Sequence, residues 1–160
     1  NRADYKVVKA DSQTFEEPPV PESLSEFNAK ERKFLEMINK DPRNPELQAN
    51  LGDIYFENNR FEQAVERYRK VLELNPSDVD TYNDLGLALH YTGRSGSALD
   101  TLKKGVKVDP SYQRIWLSLG FVLASEGRNE EARKALNTAV DLAPGTDIGK
   151  EAKKLLLLLK

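Results

Sequence analysis

The stretch LQANLGDIYFENNRFEQAVERYRKVLELNP, residues 47–76, is echoed by TYNDLGLALHYTGRSGSALDTLKKGVKVDP, residues 81–110, and by IWLSLGFVLASEGRNEEARKALNTAVDLAP, residues 115–144. The period is 34 residues. Gly52, Gly86 and Gly120 fall in register, and so do Leu51, Leu85 and Leu119, then Ala64, Ala98 and Ala132, then Pro76, Pro110 and Pro144. Four columns that agree three times define an internal repeat, which decides the fold before any single segment is read. One period before Pro76 stands Pro42, so the segment ending there reads as the second half of a degenerate earlier unit.

Each unit reads as a helical hairpin. Apolar residues recur three and four apart in two segments, separated by a turn carrying Asn59, Gly93 or Gly127, residue types that tolerate the left-handed conformation ending a helix. Gly52, Gly86 and Gly120 lie inside the first helix, where glycine costs about 1 kcal/mol relative to alanine, so their recurrence calls for close helix packing. Ala64, Ala98 and Ala132 are the residues expected to face them across the hairpin. The second helix stops at Pro76, Pro110 or Pro144, because proline cannot continue the hydrogen-bond ladder.

These residues resemble the tetratricopeptide repeat. The first unit matches through Leu51, Gly52, Tyr55, Ala64, Tyr68 and Pro76, with Gln48 in place of the usual bulky residue. The second matches through Tyr82, Leu85, Gly86, Leu89, Ala98, Leu102 and Pro110, with Gly105 as its departure. The third matches through Trp116, Leu119, Gly120, Leu123, Ala132, Leu136, Ala139 and Pro144. The resemblance implies an all-α solenoid, a right-handed superhelix of hairpins, with repeats at 45–78, 79–112 and 113–146. Its function would be to hold another protein or peptide in the concave groove lined by the first helices.

The ends need caps, because a stacked hairpin leaves one apolar side open. A helix over residues 23–42 is expected to open on a capping box, Ser23 with Glu26, and to bury a stripe of Phe27, Phe34, Leu35 and Ile38. A last helix over 147–160 buries Ile148, Ala152, Leu155, Leu156 and Leu159, which turns Leu157 and Leu158 outward. Residues 1–22, with Pro18, Pro19 and Pro21, read as an extended or flexible arm in which Tyr5, Val7 and Phe15 are candidate assembly contacts. The sequence opens on Asn1, not Met, so a segment upstream is expected to have been removed, a signal peptide or an anchor being candidates, and cytoplasmic and exported or anchored settings are both open.

By helical phase the groove is expected to present Asp53, Phe56, Asn83, Asp84, Leu87, His90, Tyr91, Arg114, Leu117 and Phe121, acidic at one end and apolar at the other. A partner segment with Lys or Arg followed by bulky apolar residues complements it. The family's carboxylate clamp, which grips a chaperone tail, is not reproduced. Its positions hold Ala49, Asp53, Asp84, Arg114 and Ser118, and the two aspartates repel a carboxylate.

Composition excludes other chemistry. The 24 basic and 26 acidic residues nearly cancel, giving no net field to attract nucleic acid. With no Cys and one His, a Cys/His zinc site and thiol chemistry are excluded, and no cofactor is expected. The apolar run from Leu155 to Leu159 is too short to cross a bilayer. Gly93 to Ser97 lacks phosphate-loop spacing and reads as an inter-helix turn, no carboxylate is expected to be buried, and Gly96 and Gly105 are expected to soften the second repeat. The chain therefore reads as a binding protein and not an enzyme. The alternative is a self-assembling subunit that stacks head to tail into oligomers, its arm bridging neighbours.

Overall fold

The computed structural model describes residues 23–159. The arm and the contacts expected at Tyr5, Val7 and Phe15 lie outside them. Among the described residues the elements are eight helices: α1 (Leu24–Lys40), α2 (Pro45–Glu57), α3 (Phe61–Leu74), α4 (Val79–Tyr91), α5 (Ser95–Val108), α6 (Gln113–Ser125), α7 (Asn129–Leu142) and α8 (Asp147–Leu158). The chain is all-α, an array of hairpins.

Local chemistry fixes the ends of these helices. Ser23 caps α1 in a capping box with Glu26: Ser23 Oγ donates to Glu26 Oε2 at 2.6 Å, and Ser23 N–H donates to the same oxygen at 3.3 Å. Asn44 Oδ1 accepts from Glu46 N–H and Leu47 N–H at the start of α2, and Asp78 Oδ1 accepts from Thr81 N–H at the start of α4. The hairpin turns place Asn59 at φ 59°, Gly93 at φ 76° and Gly127 at φ 72°. Each closes the same pair of bonds. Arg60 N–H reaches Tyr55 O at 2.8 Å while Asn59 N–H reaches Phe56 O, and the bonds recur from Arg94 to Leu89 and from Arg128 to Leu123.

Within each hairpin α2 packs on α3, α4 on α5 and α6 on α7; between hairpins α3 meets α4, α5 meets α6 and α7 meets α8. The first helices also touch one another, α4 against α6 and α6 against α8. The glycine columns sit at the hairpin crossings, but what a side chain there would meet first is not the alanine. A β-carbon on Gly52 would stand 2.6 Å from Tyr68 Cε1, one on Gly86 2.5 Å from Leu102 Cγ, and one on Gly120 2.6 Å from Leu136 Cδ2. The glycine makes room for the large residue four positions beyond the alanine, and all three of those large side chains are fully buried.

Two other expectations change. Leu35 is exposed, because Phe27 and Ile38 carry the buried stripe of α1. Gly96 is the second residue of α5, where a β-carbon would meet nothing, so it does not interrupt a helix interior. Gly105 is interior and buried, wedged between Tyr82 and Ile115 where the second hairpin joins the third.

Candidate protein-interaction surface

The residues expected to stand out from α2, α4 and α6 do not share one environment. Phe56, Asn83, Asp84, Leu87, Arg114, Leu117 and Phe121 are buried, and Asp53, His90 and Tyr91 are half-buried. The reason is stacking. A first-helix face that is free in one hairpin becomes a flank once α4 lies on α6 and α6 on α8. Leu117 packs with Leu136, Ala139 and Ala152, whereas Phe56, Leu87 and Phe121 join the main core. Asp84 overturns the expectation that no carboxylate is buried.

What reaches the surface instead is the half-buried part of a run of rings across three hairpins, Phe61, Tyr91 and His90, backed by the buried Phe56 and Phe121. Phe61 stacks on Tyr91 with centroids 4.9 Å apart, Phe56 meets both edge-on, and His90 sits 5.5 Å from Tyr91 and 5.3 Å from Phe121. Phe61, which opens α3, is a member that helical phase on the first helices does not reveal. Burial holds the His90 imidazole below its ordinary value, opposed by the nearby Glu126 carboxylate, and Nδ1 lies 3.3 Å from Ser95 Oγ. Burial pushes the Tyr91 hydroxyl up to about 12.

Three half-buried carboxylates are each held by a tyrosine. Tyr68 Oη donates to Asp53 Oδ1 at 2.8 Å, joining α3 to α2, and Tyr55 Oη donates to Glu31 Oε1 at 2.8 Å, joining α2 to α1. Tyr112, just before α6, donates to Asp80 in the first turn of α4. Burial first, and the Asp80 bond second, raise the Tyr112 hydroxyl above its ordinary range. Deeper still, Asn83 Nδ2 donates to Asp84 Oδ1 at 3.4 Å. Asn83 Oδ1 and Ser118 Oγ, both fully buried, have no hydrogen-bond partner among the described residues.

The two ends differ from the middle. On α8, Ala152 is buried and Ile148, Leu155, Leu156 and Leu159 pack inward with it, while Leu157 and Leu158 are 86% and 71% exposed. Among the described residues no group of His, Cys, Asp and Glu is arranged to hold a metal ion, and no helix is long and apolar enough to cross a membrane.

Family models described as TPR or tetratricopeptide repeats match residues 33–66, 52–93 and 83–146. The chain belongs to the tetratricopeptide repeat family. Among solved structures it is similar to MamA, at 22% identity over 98% of this chain and 91% of that one, with a TM-score of 0.71. It is also similar to the Arabidopsis OM64 TPR domain, at 22% identity over 71% of this chain and 94% of that one, TM-score 0.65. The first TPR of Spaghetti (RPAP3), solved bound to the HSP90 peptide SRMEEVD, matches at 19% identity over 72% of this chain and 89% of that one, TM-score 0.67. At these identities the likeness concerns the fold. No curated protein matches the chain.

Proposed function

We propose that this chain is a non-catalytic scaffold that holds a segment of a partner protein against the face formed by α2, α4 and α6. The observation that carries the reading is the ring ladder in which half-buried Phe61, Tyr91 and His90 lie against buried Phe56 and Phe121 across three hairpins, alongside the half-buried carboxylates of Asp53 and Asp80. Rings present wide, rigid contact area at low entropic cost, and carboxylates anchored by tyrosines are pre-organised for a cation. The partner segment is basic, then apolar. Family members such as the RPAP3 repeat domain hold a peptide, which supports the class of function. The acidic tail of that peptide does not suit this surface, where Asp53 and Asp84 stand at clamp positions and Arg114 is buried.

The test is binding of a fluorescein-labelled peptide of lysines followed by leucines, read by anisotropy against the full chain. Saturable binding that weakens with salt and is lost in a Glu46→Lys/Glu57→Lys variant supports the reading. Binding indifferent to both contradicts it. A second reading, self-assembly, is favoured by the exposure of Leu157 and Leu158.

A further inference from the structure

Helix α8 sits where the first helix of a fourth hairpin would sit, packed on α7 and α6 as α6 packs on α5 and α4. The repeat period makes the comparison exact in register: Leu157 follows Tyr55, Leu89 and Leu123 at successive intervals of 34. Those three are 6%, 2% and 3% exposed within the stacked hairpins, whereas Leu157 is 86% exposed. Lys153 and Lys154 replace the leucine and glycine columns that admit such a helix. A hairpin partner in the usual register is therefore shut out, and the open face carries Lys150, Lys153, Lys154, Leu157 and Leu158, all exposed, with Lys150 3.3 Å from Asp147 and Lys154 3.1 Å from Glu151 at its edge.

The other end of the array does not complement it. Among the described residues helix α1 stands as a second helix without a first, packed on α2, and its side away from α2 carries exposed Lys30, Lys33 and Met37. Joining α8 to α1 end to end would set lysines against lysines. The acidic half of the interaction surface has the opposite sign. Glu46, Asp53 and Glu57 fall on one face of α2, with Asp80 in the first turn of α4. The lysine–leucine face spans about 12 Å and the acidic face of α2 about 16 Å at the rise of an α-helix. Because α8 is fixed on α6 and α7, at the far end of the array from α2, it can meet an α2 face only in another copy.

We propose that the lysine–leucine face of α8 in one copy docks on the acidic face of α2 and α4 in a second copy. This rests on the reading of that surface as a site for a basic, then apolar segment, and names its occupant. Each copy offers one donor and one acceptor on different surfaces, so the contact is heterologous and extends into oligomers. Opposite charges on the two faces steer the encounter and make it sensitive to salt.

The experiment is light scattering behind size exclusion on the full chain, at low salt and across concentration, with two charge-reversed variants whose helicity is checked by circular dichroism. The native chain rises in mass from 18.1 kDa as concentration increases. Lys153→Glu/Lys154→Glu and Glu46→Lys/Glu57→Lys each stay at the monomer mass, and their mixture, in which opposite charges again meet at both contacts, regains the growth in mass with concentration. A native chain of constant mass, or a mixture that stays monomeric, overturns the proposal. The labelled lysine–leucine peptide separates the two failures: if it binds a chain of constant mass, only the homotypic contact falls; if it too fails to bind, the surface reading falls with it.

Discussion

Tyr68 closes on the bare backbone of Gly52 so tightly that a β-carbon there would stand 2.6 Å from its Cε1 and 2.9 Å from its Cδ1. The ring is fully buried and its hydroxyl is tied to Asp53, so it has nowhere to retreat. Gly52→Ala gains about 1 kcal/mol of helix propensity but incurs an overpacking cost of about 1–3 kcal/mol. The expected outcome is a net loss in denaturant unfolding, larger than for Gly120→Ala, where the leucine opposite can change rotamer. Gly96→Ala, open to solvent, is expected to raise stability in the same assay.

Gly105→Ala addresses the joint between hairpins. Its β-carbon would meet Ile115 and would lie 2.7 Å from Tyr82 Cβ, an atom fixed to the backbone. Overpacking of this kind costs about 1–3 kcal/mol, so a lower melting temperature by calorimetry is expected. An unchanged or raised value would mean that the joint is looser than described.

How much of this was legible in the sequence differs by level. The 34-residue columns gave the hairpins, and Asn59, Gly93 and Gly127 gave the turns, because a left-handed residue is a local requirement visible in residue type. The partner of Gly52 needed the register of the antiparallel pair. Gly52 stands eight residues before Arg60 and Tyr68 eight after it, so the two helices bring them level while Ala64 meets the hairpin nearer its turn. The exposure of Asn83, Asp84, Leu117 and Phe121 was not legible, since it depends on how closely α4, α6 and α8 approach, which no single helix encodes.

Asp78 caps α4 through Thr81 N–H at 3.1 Å. Asp78→Ala is expected to cost about 1 kcal/mol, measured as a shift of the urea midpoint at constant slope. The same column supplies Asn44 for α2 but Tyr112 for α6, which has no side-chain cap bond and instead ties back to Asp80.

His90 makes stability depend on pH. Its imidazole is held below the ordinary value in the folded chain, chiefly by burial, while the unfolded chain titrates near about 6.5. Above that pH both states are neutral and the contribution is complete. As pH falls, the unfolded state binds the proton first and the contribution is lost down through the folded pKa, with a slope no steeper than about 1.4 kcal/mol per pH unit. Unfolding free energies of the native chain and of His90→Gln, compared between about pH 7.5 and pH 5, are therefore expected to converge toward the acid end. Parallel curves would contradict the burial of this ring.

The central claim, that the face of α2, α4 and α6 is where a partner is held, is tested most directly by mapping amide chemical shifts of the isotope-labelled chain as the lysine–leucine peptide is added. Changes are expected to concentrate at Asp53, Glu57, Asp80, His90 and Tyr91 and to be reduced by salt. Changes confined to the outer sides of α3, α5 and α7, or none at saturating peptide, would contradict the claim.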